Sequence, residues 1–198
     1  MSLKRLATDM IRLLFVCFVA GLIIAPLLPV GASETDFNGS TLLADWFSTP
    51  WFSGGTTTVT GGSLIVDGAL TGTVAAYGPG LSLEFVATFS GDAWQHIGFG
   101  IDYSAAPWII FSTRQGGQLY ARTNTEAADP LDTMIPGDWF GTPHRYRIDW
   151  QPTQVVFSID GTVVATHAAA IGVSLRPLIS DFTGGGGMLT VDSLEMTP

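Results

Sequence analysis

The sequence predicts an all-β protein, a two-sheet antiparallel jelly-roll sandwich that follows an N-terminal signal helix. Short runs of β-branched and aromatic residues recur from Thr56 to Met196, separated by Gly, Pro, Asn and Asp. None of these runs has the helical period of about 3.6 residues. Many short strands joined by turn residues are typical of sandwiches and jelly rolls.

The predicted strands begin after residue 55 and continue to the end of the chain. They are Thr56–Thr60, Ser63–Val66, Leu81–Phe89, His96–Asp102, Trp108–Thr113, Gln118–Thr123, His144–Trp150, Val155–Ile159, Thr162–His167, Leu175–Asp181 and Leu189–Met196. Asp160-Gly161 predicts a tight hairpin, because glycine accepts a positive φ without steric cost. The stretch from Asn124 to Pro143 is predicted to be a long irregular loop.

Residues 1–32 have the order of a secretory signal. Lys4, Arg5 and Arg12 form a positive region, an apolar run follows, and the small residues Val30-Gly31-Ala32 end the segment. We predict cleavage after Ala32, which leaves one domain over residues 33–198 in an extracytoplasmic or secreted location. The alternative is an uncleaved membrane anchor, since the apolar run is nearly long enough to span a bilayer.

Composition limits the partners of the mature domain. Its five arginines, no lysine and sixteen acids give a formal charge of −11. Such a surface repels phosphate backbones, so nucleic acid is not expected as a partner. The sole cysteine, Cys17, leaves with the signal, and no internal disulfide can form. We expect a monomer stabilised by packing or by a bound ion.

Alternation assigns faces to two of the strands. In His144–Trp150 the apolar set fits a sheet packed inward, and the charged set fits a solvated face. In the predicted strand Gln118–Thr123 and the residue that follows it, Tyr120, Arg122 and Asn124 share one face. An aromatic plane beside fixed hydrogen-bond donors suits a sugar, whose C–H face stacks on a ring while its hydroxyls need polar partners. A solvated sheet face with an incidental tyrosine is the alternative.

One block of sequence resembles a known family. The run from His144 to Pro152, then Val155–Ile159 and Asp160-Gly161, is similar to a signature of glycoside hydrolase family 16, the bacterial β-glucanases and laminarinases. The last strand and Leu81–Phe85 are also similar to that family. The resemblance implies the concanavalin A-like lectin/glucanase fold, with a concave face that holds the glycan.

The resemblance does not extend to the catalytic acids of the family. The family's active strand carries Glu-x-Asp-x-x-Glu, and retaining hydrolysis needs two carboxyls about 5–5.5 Å apart. The corresponding strand is expected to be Trp108–Arg114, which contains no acid. We therefore predict no catalytic residue of the family type. Glu84 and Asp102 are the fallback acid pair if their strands adjoin, and solvated acids otherwise.

The candidate glycan-binding residues combine aromatic rings with hydrogen-bonding side chains. They are Trp94, Trp108, Arg114, Tyr120, Arg122, Asn124, Trp139 and His144. The resemblance implies that His144 lines the concave face. Core or rim packing is the alternative for Trp94 and Trp139. His96, His144 and His167 lack metal-ligand spacing, so we expect a structural or surface role for each rather than zinc binding.

Calcium is the one cofactor that the resemblance implies. A last-strand acid would be a ligand, which places the site at Asp192, with Asp36 as a candidate partner. The alternative is that Asp192 is only an exposed strand acid.

Three function classes remain open from the sequence. The first is a non-catalytic, lectin-like domain that binds extracellular or cell-envelope polysaccharide. The second is a β-glycan hydrolase with a noncanonical acid pair, and the third is a structural envelope domain without ligand. A groove lined by aromatic and polar groups without paired carboxyls would favour the first.

Overall fold

The computed structural model describes residues 33–127 and 129–198. The predicted signal helix and its cleavage site lie outside the described residues. Within the described ranges, no helix is long and apolar enough to cross a bilayer.

The described residues form fifteen β-strands. In chain order they are β1 (Ser33–Asp36), β2 (Trp46–Pro50), β3 (Thr56–Thr60), β4 (Ser63–Asp67), β5 (Ala69–Thr73), β6 (Leu81–Thr88), β7 (Gln95–Gly100), β8 (Trp108–Ser112), β9 (Leu119–Asn124), β10 (Leu131–Ile135), β11 (His144–Trp150), β12 (Val155–Ile159), β13 (Thr162–His167), β14 (Arg176–Asp181) and β15 (Leu189–Thr197).

The strands make two antiparallel sheets that pack face to face, as predicted. Sheet I has the order β13-β12-β11-β6-β15-β4-β3, with β1 paired to β15. Sheet II has the order β10-β9-β8-β7-β14-β5-β2. Neighbouring strands in both sheets are often far apart in sequence, which is the jelly-roll arrangement.

Each of the eleven predicted strands is present, and four further strands were missed. Two of them, β1 and β2, precede the first predicted strand. The third, β5, is buried along its whole length and therefore lacks the alternation of a half-exposed strand. The fourth, β10, lies inside the stretch predicted to be irregular, where it pairs with β9 as the edge of sheet II.

Aromatic rings from both sheets fill the core. The ring of Tyr146 in β11 stacks on Phe85 at 5.3 Å and meets Phe111 of the opposite sheet at 5.0 Å. Phe111 also contacts Phe157 at 5.3 Å. Tyr146, Ile148 and Trp150 of β11 are fully buried, which confirms the predicted alternation.

The Asp160-Gly161 turn joins β12 to β13 as predicted. Both residues have positive φ, 49° for Asp160 and 79° for Gly161. Two positive φ values characterise the type I′ turn, whose twist matches that of the flanking strands.

Candidate glycan-binding groove

A groove of about 470 Å³ lies on the face of sheet II that points away from the core. This volume is within the range of small-molecule and oligosaccharide sites. The groove is lined by Trp51, Trp94, His96, Tyr103, Ser104, Trp108, Ile110, Arg122, Ser180 and Phe182. Among these lining residues there is no aspartate or glutamate.

Strand alternation builds the floor of the groove. In β8, Ile109 and Phe111 are buried in the core, so Trp108 and Ile110 project to the opposite side. His96 of β7 and Ser180 of β14 are cross-strand partners and project the same way. The acid-free strand predicted from the sequence therefore contributes the centre of the floor.

Tyr103 lies against β7 because Gly100 has no side chain. A Cβ at Gly100 would come within 2.6 Å of the Tyr103 ring. The Tyr103 hydroxyl donates a hydrogen bond to the carbonyl oxygen of Leu178, 3.0 Å away. Burial raises the pKa of Tyr103 well above its ordinary range, so the phenol remains a donor.

Trp51 and Phe182 form an aromatic wall on one side of the groove. Their rings meet edge to face at 5.4 Å. The Trp51 indole Nε1 donates to the Ser180 hydroxyl at 2.9 Å, which fixes the ring plane over the floor. Trp94 stands nearby with 37% of its surface exposed, a large value for a tryptophan. Rings held in this way can stack on the apolar face of a pyranose.

Arg122 forms a second wall, over the ring of Trp108 in the floor. The Arg122 Cζ lies 4.9 Å from the centre of the Trp108 ring. Arg122 also donates from Nε to Asp132 Oδ1 at 2.7 Å. Asp132 belongs to β10, so the unpredicted edge strand holds this guanidinium in place.

His96 is a neutral group at the floor. Burial first, and then the charge of Arg122, lower its pKa from 6.5 to about 3. Its Nδ1 is buried and has no hydrogen-bond partner among the described residues. Its ring contacts those of Trp94 at 6.4 Å and Tyr103 at 5.9 Å.

Three of the eight predicted binding residues, Trp94, Trp108 and Arg122, line the groove. Tyr120 and Arg114 stack on each other beside it, with the Arg114 Cζ 5.1 Å from the ring centre. Asn124 accepts a hydrogen bond from the backbone N–H of Glu126, which shapes the turn after β9.

The structure does not place Trp139 and His144 at the groove. His144 belongs to β11 in sheet I, on the side of the strand that faces the core. Its Nδ1 pairs with Asp160 Oδ2 at 2.8 Å, and its ring contacts Trp139 at 5.2 Å. His144 therefore lies outside the groove, because the groove is formed by sheet II and His144 belongs to sheet I.

The fallback acid pair is also corrected, because the strands of its two members do not adjoin. Glu84 lies on β6 in sheet I, where its carboxylate pairs with Arg145 and Arg147. Asp102 follows β7 of sheet II, and its carboxylate accepts hydrogen bonds from the backbone and hydroxyl of Ser104. These hydrogen bonds lower the pKa of Asp102, as expected for a stable carboxylate.

Three glutamates that are distant in sequence meet on the solvent side of sheet I. Glu34 is the cross-strand partner of Glu195, and Glu195 is the partner of Glu84. The three carboxylates, with Arg145, border a small cavity of about 90 Å³. Within the described residues, no group of three or more His, Cys, Asp or Glu side chains could hold a metal ion.

The two acids predicted for calcium lie on paired strands. Asp36 is opposite Ser193, the neighbour of Asp192 in β15. Asp36 accepts a hydrogen bond from Asn38 at 2.6 Å, and Asp192 accepts one from Ser63 at 2.7 Å. Calcium takes six to eight oxygen ligands. An ion here would therefore need backbone carbonyls and water for most of its coordination.

Sequence reasoning missed most of the groove. The unpredicted lining residues are Trp51, His96, Tyr103, Ser104, Ile110, Ser180 and Phe182. His96 had a detectable signal, since alternation in β7 directs Ile97 and Phe99 inward and His96 outward. Trp51 and Phe182 had none, because they lie outside the strands and meet only through the pairing of β14 with β5 and of β5 with β2.

Comparison with known proteins places this geometry in context. The sequence model of glycosyl hydrolases family 16 matches residues 116–172, which span β9 to β13. No curated protein sequence matches the chain.

Solved structures extend the likeness to almost the whole domain. The β-glucanase of Bacillus licheniformis has a TM-score of 0.60 at 16% identity, covering 85% of this chain and 98% of that one. The laminarinase of Flavobacterium sp. UMI-01 has a TM-score of 0.64 at 15% identity, with 84% and 99% covered. Rv0315 of Mycobacterium tuberculosis, described as an immunostimulatory antigen and pseudo β-1,3-glucanase, has a TM-score of 0.62 at 14% identity, with 83% and 97% covered.

The two sheets, the matched segment and the shared architecture agree with the resemblance seen in the sequence. The chain has the concanavalin A-like sandwich fold of the β-glucanases and laminarinases, and it resembles glycoside hydrolase family 16.

Proposed function

We propose that this protein is an exported, non-hydrolytic domain that binds polysaccharide in the groove of sheet II. The observation that carries the proposal is the lining of the groove. Aromatic rings, hydroxyls, a neutral histidine and one arginine line it, and no carboxylate does so among the described residues. Rings and fixed donors bind sugars, whereas glycoside hydrolysis by this family's route requires two facing carboxyls.

The centre of the floor supports binding over cleavage. Trp108 and Ile110 project into the groove from β8, the strand in which the resemblance implies catalytic acids. Removal of both the nucleophile and the acid abolishes a two-carboxylate mechanism. One of the similar structures, Rv0315, is itself described as a pseudo β-1,3-glucanase.

Binding and cleavage can be separated on one preparation. We expect the protein to retain at least one polysaccharide on a glycan array and to release no reducing ends from it. Trp108→Ala should weaken binding about tenfold, because a stacking ring is lost. Trp139→Ala is the matched control, since Trp139 packs against His144 away from the groove. Release of reducing ends by the unaltered protein would contradict the proposal.

Export is the second part of the proposal. It is supported by the charged, apolar and small-residue order of residues 1–32. We expect the protein recovered from the cell envelope or the medium to begin at Ser33 on N-terminal sequencing. A mature protein that still begins at Met1 would indicate an anchor.

A further inference from the structure

The groove has one strongly polar feature, the guanidinium of Arg122. Among the described residues that line the groove, Arg122 is the only charged one. Its side chain is 13% exposed, so most of its water has been replaced by protein. The Trp108 ring below it and Asp132 beside it fix the plane of the guanidinium.

Asp132 does not balance the positive charge around it. Arg122 contacts one oxygen of this carboxylate at 2.7 Å, and Arg114 contacts the other at 3.2 Å. Two arginines thus share one aspartate, which leaves an excess of one positive charge at this wall. His96 adds no further charge, because burial and Arg122 keep it neutral.

The free edge of Arg122 is available to a ligand. Nε is engaged by Asp132, whereas Nη1 and Nη2 have no hydrogen-bond acceptor among the described residues. The terminal nitrogens of a guanidinium form a planar fork that matches the two oxygens of a carboxylate or sulfate. A neutral sugar would offer this fork only hydroxyl oxygens.

The charge of the whole protein limits the kind of anion. The formal charge of −9 for the full chain repels a uniformly charged polymer at long range. The positive charge at the groove acts only over a short distance, because salt screens beyond about 8–10 Å. A glycan with sparse anionic groups fits both conditions.

We propose that the groove is selective for an acidic sugar, whose ring stacks on the aromatic side chains while its carboxylate or sulfate ester binds the Arg122 fork. This inference rests on the proposed glycan binding and adds a ligand class to it. The two sources of the anion, a uronate and a sulfated sugar, share the same recognition chemistry.

Three ligands with one backbone test the inference by calorimetry on the full-length protein. The ligands are laminaripentaose, the same pentaose with one ring oxidised to the uronate, and the pentaose with one sulfate ester. We expect at least one acidic form to bind about tenfold more tightly than the neutral form. The form that does so identifies the anion.

Variants assign the preference to one side chain. Arg122→Gln should remove the preference, and Arg122→Lys should reduce it, since lysine keeps the charge but loses the planar fork. Arg145→Gln is the matched control, because Arg145 lies on the solvent side of sheet I. If Arg122→Gln does not fold, Arg122→Lys supplies the same comparison.

The possible failures are distinct. Equal affinity for all three pentaoses, or tighter binding of the neutral one, would overturn the inference and leave the proposed function intact. An equal loss of preference in Arg145→Gln would overturn it too, because net charge would then explain the effect. Failure of the unaltered protein to bind these ligands or any glycan on the array would overturn both proposals.

Discussion

Individual residues of the groove are held in conformations that the chain disfavours. Trp94 and Tyr103 both have a φ of 62°, and Arg114 beside the groove has 49°. A non-glycine residue in this region costs about 1–3 kcal/mol and persists only where the surroundings fix it. Such outliers tend to cluster at functional sites, and here two of them present aromatic rings to the groove.

Asp181 is a buried titratable residue in β14, next to Ser180 of the groove. Its carboxylate is fully buried and accepts hydrogen bonds from Gln95 at 2.9 Å and from the Thr183 backbone at 3.0 Å. Burial raises its pKa from 3.8 to about 6 in spite of these donors. The Thr183 hydroxyl donates to the carboxylate at 3.1 Å, and its oxygen can instead accept a hydrogen bond from Asp181 when the carboxyl group is protonated.

The raised pKa of Asp181 predicts a pH dependence of stability. Between about pH 4 and about pH 6 the folded protein binds more protons at Asp181 than the unfolded chain does. The contribution of Asp181 to the free energy of unfolding should therefore fall as pH rises through this window. We expect Asp181→Asn to remove this decrease in the free energy of unfolding, as measured by denaturant unfolding over the same pH range. The control Asp102→Asn should leave it unchanged, and a slope that persists in Asp181→Asn would contradict the assignment.

At the scale of elements, the connection of residues 184–187 packs closely against its neighbours because its residues are glycines. A Cβ at Gly186 would come within 2.2 Å of Asp92 Oδ2, and one at Gly184 within 2.3 Å of Phe52. The Asp92 carboxylate also accepts a hydrogen bond from the Gly187 backbone at 2.6 Å. The connection therefore approaches its neighbours as closely as backbone allows, next to the loop that carries Trp94.

Cross-strand register also creates a repulsive row on sheet I. Glu34, Glu195 and Glu84 are opposite one another on β1, β15 and β6. Arg145 and Arg147 compensate Glu84, whereas Glu34 and Glu195 have no ion-pair partner among the described residues. Like charges in direct register destabilise a sheet.

Neutralising the middle of this row should stabilise the protein. We expect Glu195→Gln to raise the free energy of unfolding by about 0.2–1 kcal/mol, with a smaller gain at high salt. Glu126→Gln, in the turn after β9, is the control and should have little effect. Chemical denaturation at two salt concentrations measures both, and a loss of stability in Glu195→Gln would contradict the repulsion.

At the scale of the whole molecule, the first described strand, β1, pairs with the last strand, β15. An ion at Asp36 and Asp192 would tie these two ends of the domain together, and we propose calcium there from the family resemblance. A cation that binds only the folded state stabilises it by mass action. Chelation should therefore lower the melting temperature, and added calcium should restore it. A melting curve that EDTA leaves unchanged would rule out a structural ion.

Much of the fold could be predicted because the local pattern and the final environment agree. In β11, alternate residues from Tyr146 to Trp150 are buried, as their apolar character predicts. Strand β5 could not be predicted, since both of its faces are buried and its sequence does not alternate. Its Gly72 is required by tertiary packing, because an added Cβ would lie 2.3 Å from the carbonyl oxygen of Pro177. The edge strand β10 could not be predicted either, because its pairing with β9 is a long-range choice.

The sequence by itself determined the class of fold, the family resemblance and the lack of acids in β8. Alternation, turn dipeptides and residue identity are local properties, and each can be evaluated without knowing which strands pair. Only the tertiary structure decided which side chains share a surface. In that structure Trp51, Phe182 and Arg122 line one groove on sheet II, whereas His144 lies in sheet I. Strand order joins residues that are far apart in sequence, and no local pattern encodes that order.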